Sequence, residues 1–123
     1  MTKTLSLVFC MSVVVVLAFA LAGIAQAEDA TFTAVEKDGS KVWDGGGTVD
    51  LKGKTAVTLK VTNTLTADHG FSIDSMKVKD VIKPGETKTI TVPAADIDQS
   101  VAEHKVYCQL HPKHVPASLK VTK

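Results

Sequence analysis

Between Ala56 and Asn63 the chain reads AVTLKVTN, which places Val57, Leu59 and Val61 on one side of an extended backbone. Thr58, Lys60 and Thr62 fall on the other side, the period-two pattern of a half-buried strand. This pattern, recurring in short runs broken by turn residues, is what most restricts the fold. Residues 31–36 (TFTAVE) repeat it and stop at Asp38-Gly39, a turn pair. Residues 88–92 (KTITV) repeat it after the Pro84-Gly85-Glu86 turn. Lys41-Val42-Trp43 is a short apolar piece ahead of Gly45-Gly46-Gly47, read as a turn. No Lys-Ser/Thr pair or amphipathic helix follows that glycine run, as a phosphate loop would require. The last two strands are expected at residues 105–108 and 118–122, and residues 94–102 are the one candidate helix. Past residue 27 there are twelve Thr and twelve Val against five Leu, a β-branched excess that favours strands. About seven short strands without helical periodicity predict an all-β Greek-key sandwich or barrel.

The first 27 residues are of another kind. Lys3 is their single charge, and an apolar stretch runs to Ala25-Gln26-Ala27, a small-x-small cleavage pattern ahead of Glu28-Asp29. Residues 1–27 are therefore expected to be a secretory signal and residues 28–123 one mature domain, periplasmic or extracellular. An uncleaved membrane anchor is the competing reading. Without Lys3, 13 lysines face 13 acidic residues, and the chain has no arginine. A balanced, arginine-free domain has no electrostatic basis for binding nucleic acid or an anionic membrane surface.

Cys10 lies inside the leader, which leaves Cys108 as the mature domain's only thiol and excludes an internal disulfide. Cys108-Gln109-Leu110-His111-Pro112-Lys113-His114 gathers one thiol and two imidazoles on a loop stiffened by Pro112. Thiolate and imidazole are the ligands favoured by copper and zinc. A fourth ligand must come from elsewhere, and His69 shares its strand parity with Phe71 and Ile73, pointing inward. The expected metal ligands are His69, Cys108, His111 and His114. His104 is read as a surface or edge residue and Met76 as packing. Asp68, His69 and Ser72 suggest a hydrolase triad, but nothing resembles a nucleophile elbow.

An inward histidine followed by Tyr107-Cys108-x-x-His111-x-x-His114 ahead of a final strand resembles the cupredoxins, small copper-binding β-sandwiches. Gly70-Phe71-Ser72-Ile73-Asp74, residues 81–90 (VIKPGETKTI) and residues 108–113 (CQLHPK) are most similar to the nitrosocyanin-like red copper members. The resemblance runs from about Ala56 to the C-terminus, with the cysteine loop as its specific part. Two departures stand out. His69 occupies the place of a glutamate ligand in the red proteins, and the loop between the last two ligands is two residues shorter here. His114 stands where short-loop blue copper proteins hold an axial methionine. The resemblance also implies that a backbone N–H near Gly70 hydrogen-bonds the Cys108 sulfur.

These readings imply one copper ion cycling between Cu(II) and Cu(I), and single-electron transfer to redox partner proteins rather than enzyme catalysis. The alternatives are a small ligand such as nitric oxide at an open copper position, or a zinc-binding or metal-carrier module. A binuclear copper centre would need a second bridging cysteine, and His104 stands where it would lie.

Overall fold

The computed structural model describes residues 28–123, so the leader, Cys10 and the proposed cleavage site lie outside the described residues. Eight strands follow in order: β1 (Ala30–Lys37), β2 (Ser40–Asp50), β3 (Ala56–Asn63), β4 (His69–Ile73), β5 (Val78–Ile82), β6 (Thr87–Pro93), β7 (Glu103–Val106) and β8 (Ala117–Thr122). Six form a mixed sheet in the order β6-β3-β1-β2-β8-β7, and β4 with β5 make a separate antiparallel ribbon. The β1–β3 and β2–β8 pairs are parallel. This is the all-β sandwich expected, and no described helix is long and apolar enough to cross a membrane.

Local chemistry accounts for the turns. Asp38 and Gly39 both take positive φ (49° and 80°), the geometry a two-residue hairpin needs between β1 and β2. Alternation in β3 buries Val57, Leu59 and Val61 completely, as expected. Asn63 continues that buried face, and its side chain satisfies the carbonyls of Ala67 (2.8 Å) and Ile82 (2.9 Å) and the Leu65 N–H (2.9 Å). These three bonds fold the segment that delivers His69 into β4.

Four expectations are corrected. Gly45-Gly46-Gly47 is not a turn but the middle of β2, where the strand exchanges β1 for β8 as its partner. The backbone at this change of partner takes torsion angles that favour glycine. Gly45 and Gly46 take φ 127° and 113°, and a Cβ on either would collide with the Thr31 or Ser118 carbonyl oxygen. Residues 94–102 hold only the 3-10 turn Ala94–Asp96, because no repeating apolar stripe is there to bury a longer helix. His104 lies on the edge strand β7, as one half of its reading had it, but not at the surface: it is fully buried, with Nδ1 2.6 Å from the Ser75 hydroxyl. The terminal strand β7 is also Glu103–Val106, which leaves Cys108 just beyond it.

The core between the layers is aromatic at its centre. Phe71 packs against Phe32 (5.2 Å between centroids) and edge-on to Trp43 (5.2 Å, 84°). Met76 is buried in that core, the packing role expected of it.

Candidate metal centre

His69 comes from β4, and the other site residues come from the loop between β7 and β8. His69 opens β4, every residue of which is buried. Cys108 follows Tyr107, whose backbone exchanges two hydrogen bonds with Ser72 of β4 (2.8 and 3.0 Å). His114 closes the loop: its N–H bonds the His111 carbonyl (3.0 Å), and the next N–H bonds the Lys41 carbonyl of β2 (2.8 Å). Its ring lies flat on Trp43 at 5.4 Å and 14°. The Trp43 indole N–H donates to the Gly70 carbonyl (3.0 Å), tying β2 to β4 beneath the site.

The donor atoms converge. His69 Nδ1 is 3.1 Å from His114 Nδ1 and 3.8 Å from Cys108 Sγ, and one donor atom from each residue lies within 4.8 Å of the others. Nitrogen and sulfur atoms bound to one tetrahedral ion at ordinary bond lengths would be roughly 3.3–3.6 Å apart. The observed separations bracket that value. Both Nε2 atoms, of His69 and His114, are buried without a hydrogen-bond partner. Two inward-turned Nδ1 atoms and a thiol form a poor hydrogen-bonding group, and a soft cation resolves it better than a shared proton. These residues fit a copper or zinc ion.

His111 stands at the solvent edge of this group. Its ring is 4.7 Å from that of His69, and its Nε2–H donates to the Asp68 carbonyl (3.0 Å). That bond fixes the tautomer and leaves Nδ1 as the free lone pair, the arrangement by which a backbone carbonyl orients a ligand imidazole. The structure thus gathers His69, Cys108 and His114 and sets His111 beside them. Gly70 N–H does donate to Cys108 Sγ (3.1 Å), as the resemblance implied. The Ser72 hydroxyl is buried and donates to Gln109 Oε1 (2.7 Å) rather than to His69. The sequence reading missed Trp43 as the platform for His114, although a lone tryptophan beside a glycine run was a usable signal. It gave no indication of Gln109.

Burial, reinforced by the neighbouring His114, His111 and Lys41 charges, pushes His69 down to about 4. Burial also lowers His104 and His114. The sign follows from linkage. Above pH 6.5 folded and unfolded forms are both neutral at His69. Between 6.5 and about 4 the unfolded chain takes up protons the folded chain refuses, so stability falls; below that the loss from His69 is complete. The metal-free protein should therefore lose roughly 1–2 kcal/mol or more between pH 7 and pH 5. Urea midpoints at the two pH values check this, and equal midpoints would refute it.

A cavity of about 430 Å³ opens between the β1–β2 turn and the cysteine loop, lined by His69, His111 and His114 with Lys41 and Lys113 at its rim.

The Cupredoxin-like domain family matches residues 10–121. Among solved structures, a laccase from Pediococcus acidilactici is similar at 16% identity and a TM-score of 0.49, over 75% of this chain and 25% of its own. The multicopper oxidase mgLAC is similar at 16% identity and a TM-score of 0.49, over 76% of this chain and 38% of its own. The chain spans well under half the length of either oxidase. No curated protein matches it.

Proposed function

The chain belongs to the cupredoxin-like domain family, and from that premise we propose that it is an exported copper protein that carries single electrons. The observation that carries this reading is the convergence of His69 Nδ1, His114 Nδ1 and Cys108 Sγ in a buried cluster beside the partly exposed His111. Copper bound there would supply a one-electron change of oxidation state. The chain's own residues hold the donors in place before the metal arrives: Trp43 supports the His114 ring, Gly70 supports the sulfur, and the Asp68 carbonyl orients His111. Such preorganisation leaves little to rearrange between oxidation states. The proposed ligand set is His69, Cys108 and His114 with His111 completing it through Nδ1. It combines one thiolate with three imidazoles, closer to the nitrosocyanin-like proteins than to a blue centre with methionine. Export rests on the leader sequence at residues 1–27.

The cavity favours a second reading, in which a small molecule reaches the metal past Lys41 and Lys113. Metal analysis with optical and spin-resonance spectra of the exported protein tests both. One copper per chain with an intense thiolate band is expected, and added azide should leave that band in place if electron transfer is the whole function. A shift on adding azide supports the second reading. A colourless protein holding one zinc ion would overturn the copper assignment.

A further inference from the structure

We infer that Gln109 is the positioning residue that holds the Cys108 sulfur against the Gly70 N–H. The inference rests on Cys108 being the thiolate of the proposed centre. Cys108 lies outside any strand, so its place depends on its neighbours. Tyr107 fixes one side through its paired backbone bonds to Ser72. On the other side the anchor is a side chain. Gln109 Oε1 accepts from the Ser72 hydroxyl (2.7 Å), and Gln109 Nε2 donates to the Asp80 carbonyl (2.8 Å). The amide thus lies across the β4–β5 ribbon and clamps the chain to both strands immediately after the cysteine.

Gly70 makes this crossing possible. Its backbone is not in the positive-φ region, so torsion angles do not call for glycine here. What calls for it is space: a Cβ at position 70 would collide with the Gln109 amide. The peptide atoms of Gly70 are all engaged, since its carbonyl accepts from the Trp43 indole and its N–H donates to Cys108 Sγ. Gln109 therefore passes over the one residue whose N–H meets the sulfur. Both ends of its amide are satisfied by the strands flanking that contact. A residue serving only to fill space would not need these two bonds, which cost side-chain entropy to form.

Amide exchange at Gly70, followed on the purified protein without metal, is the test. Gln109→Met keeps the volume and removes both bonds. Gly70 exchange should rise at least about tenfold while the amide of Leu59, in the core strand β3, is unchanged, because a local opening rather than global unfolding is involved. Ser72→Ala, which removes one of the two bonds, should produce a smaller rise in the same direction and guards against a misfolded Gln109 variant. Unchanged Gly70 exchange in both variants would overturn the inference. So would equal acceleration at Gly70 and Leu59, which would make Gln109 a general packing residue. A second readout applies once copper is loaded: with the N–H···S bond loosened, the sulfur becomes a stronger donor. The thiolate band of Gln109→Met should then move to longer wavelength and the potential should fall. Because the exchange measurement needs no metal, its outcome stands apart from that of the copper assignment.

Discussion

Copper-loaded Cys108→Ser protein is expected to lose its intense visible absorption completely while the sandwich stays folded. Cys108 supplies the one sulfur in the converging cluster, and charge transfer from a thiolate is the only source of strong colour available to these ligands. A serine hydroxyl cannot replace it, although it can accept the Gly70 N–H that now bonds the sulfur. The fold should tolerate the change. Cys108 sits at the rim of the core, beyond β7, and the change removes little volume, so the cost in the metal-free protein should be on the order of 1 kcal/mol. Copper affinity should fall further than the roughly 10–100-fold typical of losing an outer-shell partner. Optical spectra, circular dichroism and chelator competition measure the three effects. A mutant retaining the band would remove Cys108 from the centre.

That prediction could be framed from the sequence because the chemistry of the site is concentrated in seven consecutive residues, Cys108 to His114. A thiol and two imidazoles on one short loop admit few readings, and strand parity was enough to turn His69 inward. Period-two alternation likewise marked β3 and the hairpin at Asp38-Gly39. What stayed hidden depends on contacts far apart in the chain. The glycine run in β2 looked like a turn because nothing local shows that one strand serves two partners, β1 and then β8. His104 does lie on the edge strand β7, but it looked like a surface residue because the hydroxyl it meets, Ser75, lies 29 residues earlier in a 3-10 turn. His111 has a ligand's spacing, yet its position is set by the Asp68 carbonyl, 43 residues away. Gln109 carried no signal at all, since its role depends on Ser72, Asp80 and the absence of a Cβ at Gly70, whose place its amide takes. Local patterns identified the elements and the donor atoms. Non-local packing decides how those donors are held.

The same distinction sets up His114→Met. His114 is 5% exposed, stacked on Trp43 and turned so that Nδ1 faces His69 Nδ1 at 3.1 Å, so that nitrogen points into the donor cluster rather than into solvent. As a ligand, this third imidazole would be a harder and stronger donor than a thioether, favouring Cu(II) and weakening the bond between copper and the Cys108 thiolate. The wild-type protein should then lack a typical blue-copper spectrum, with intensity moved to shorter wavelength and an enlarged copper hyperfine splitting. The His114→Met substitution should reverse each effect, restoring a long-wavelength band, narrowing the splitting and raising the potential, because thioether sulfur favours Cu(I). Packing does not oppose the change. Methionine is flexible and close to histidine in bulk, and a sulfur set against the Trp43 ring recovers about 0.3–1.5 kcal/mol of the lost stacking. A global rearrangement is therefore a poor explanation for a spectral change, and an unchanged unfolding midpoint in the metal-free variant would exclude it. If His114 only fills the space above Trp43, His114→Met should leave the spectrum and the potential of the copper protein where they were. That result would reduce the centre to His69, Cys108 and His111.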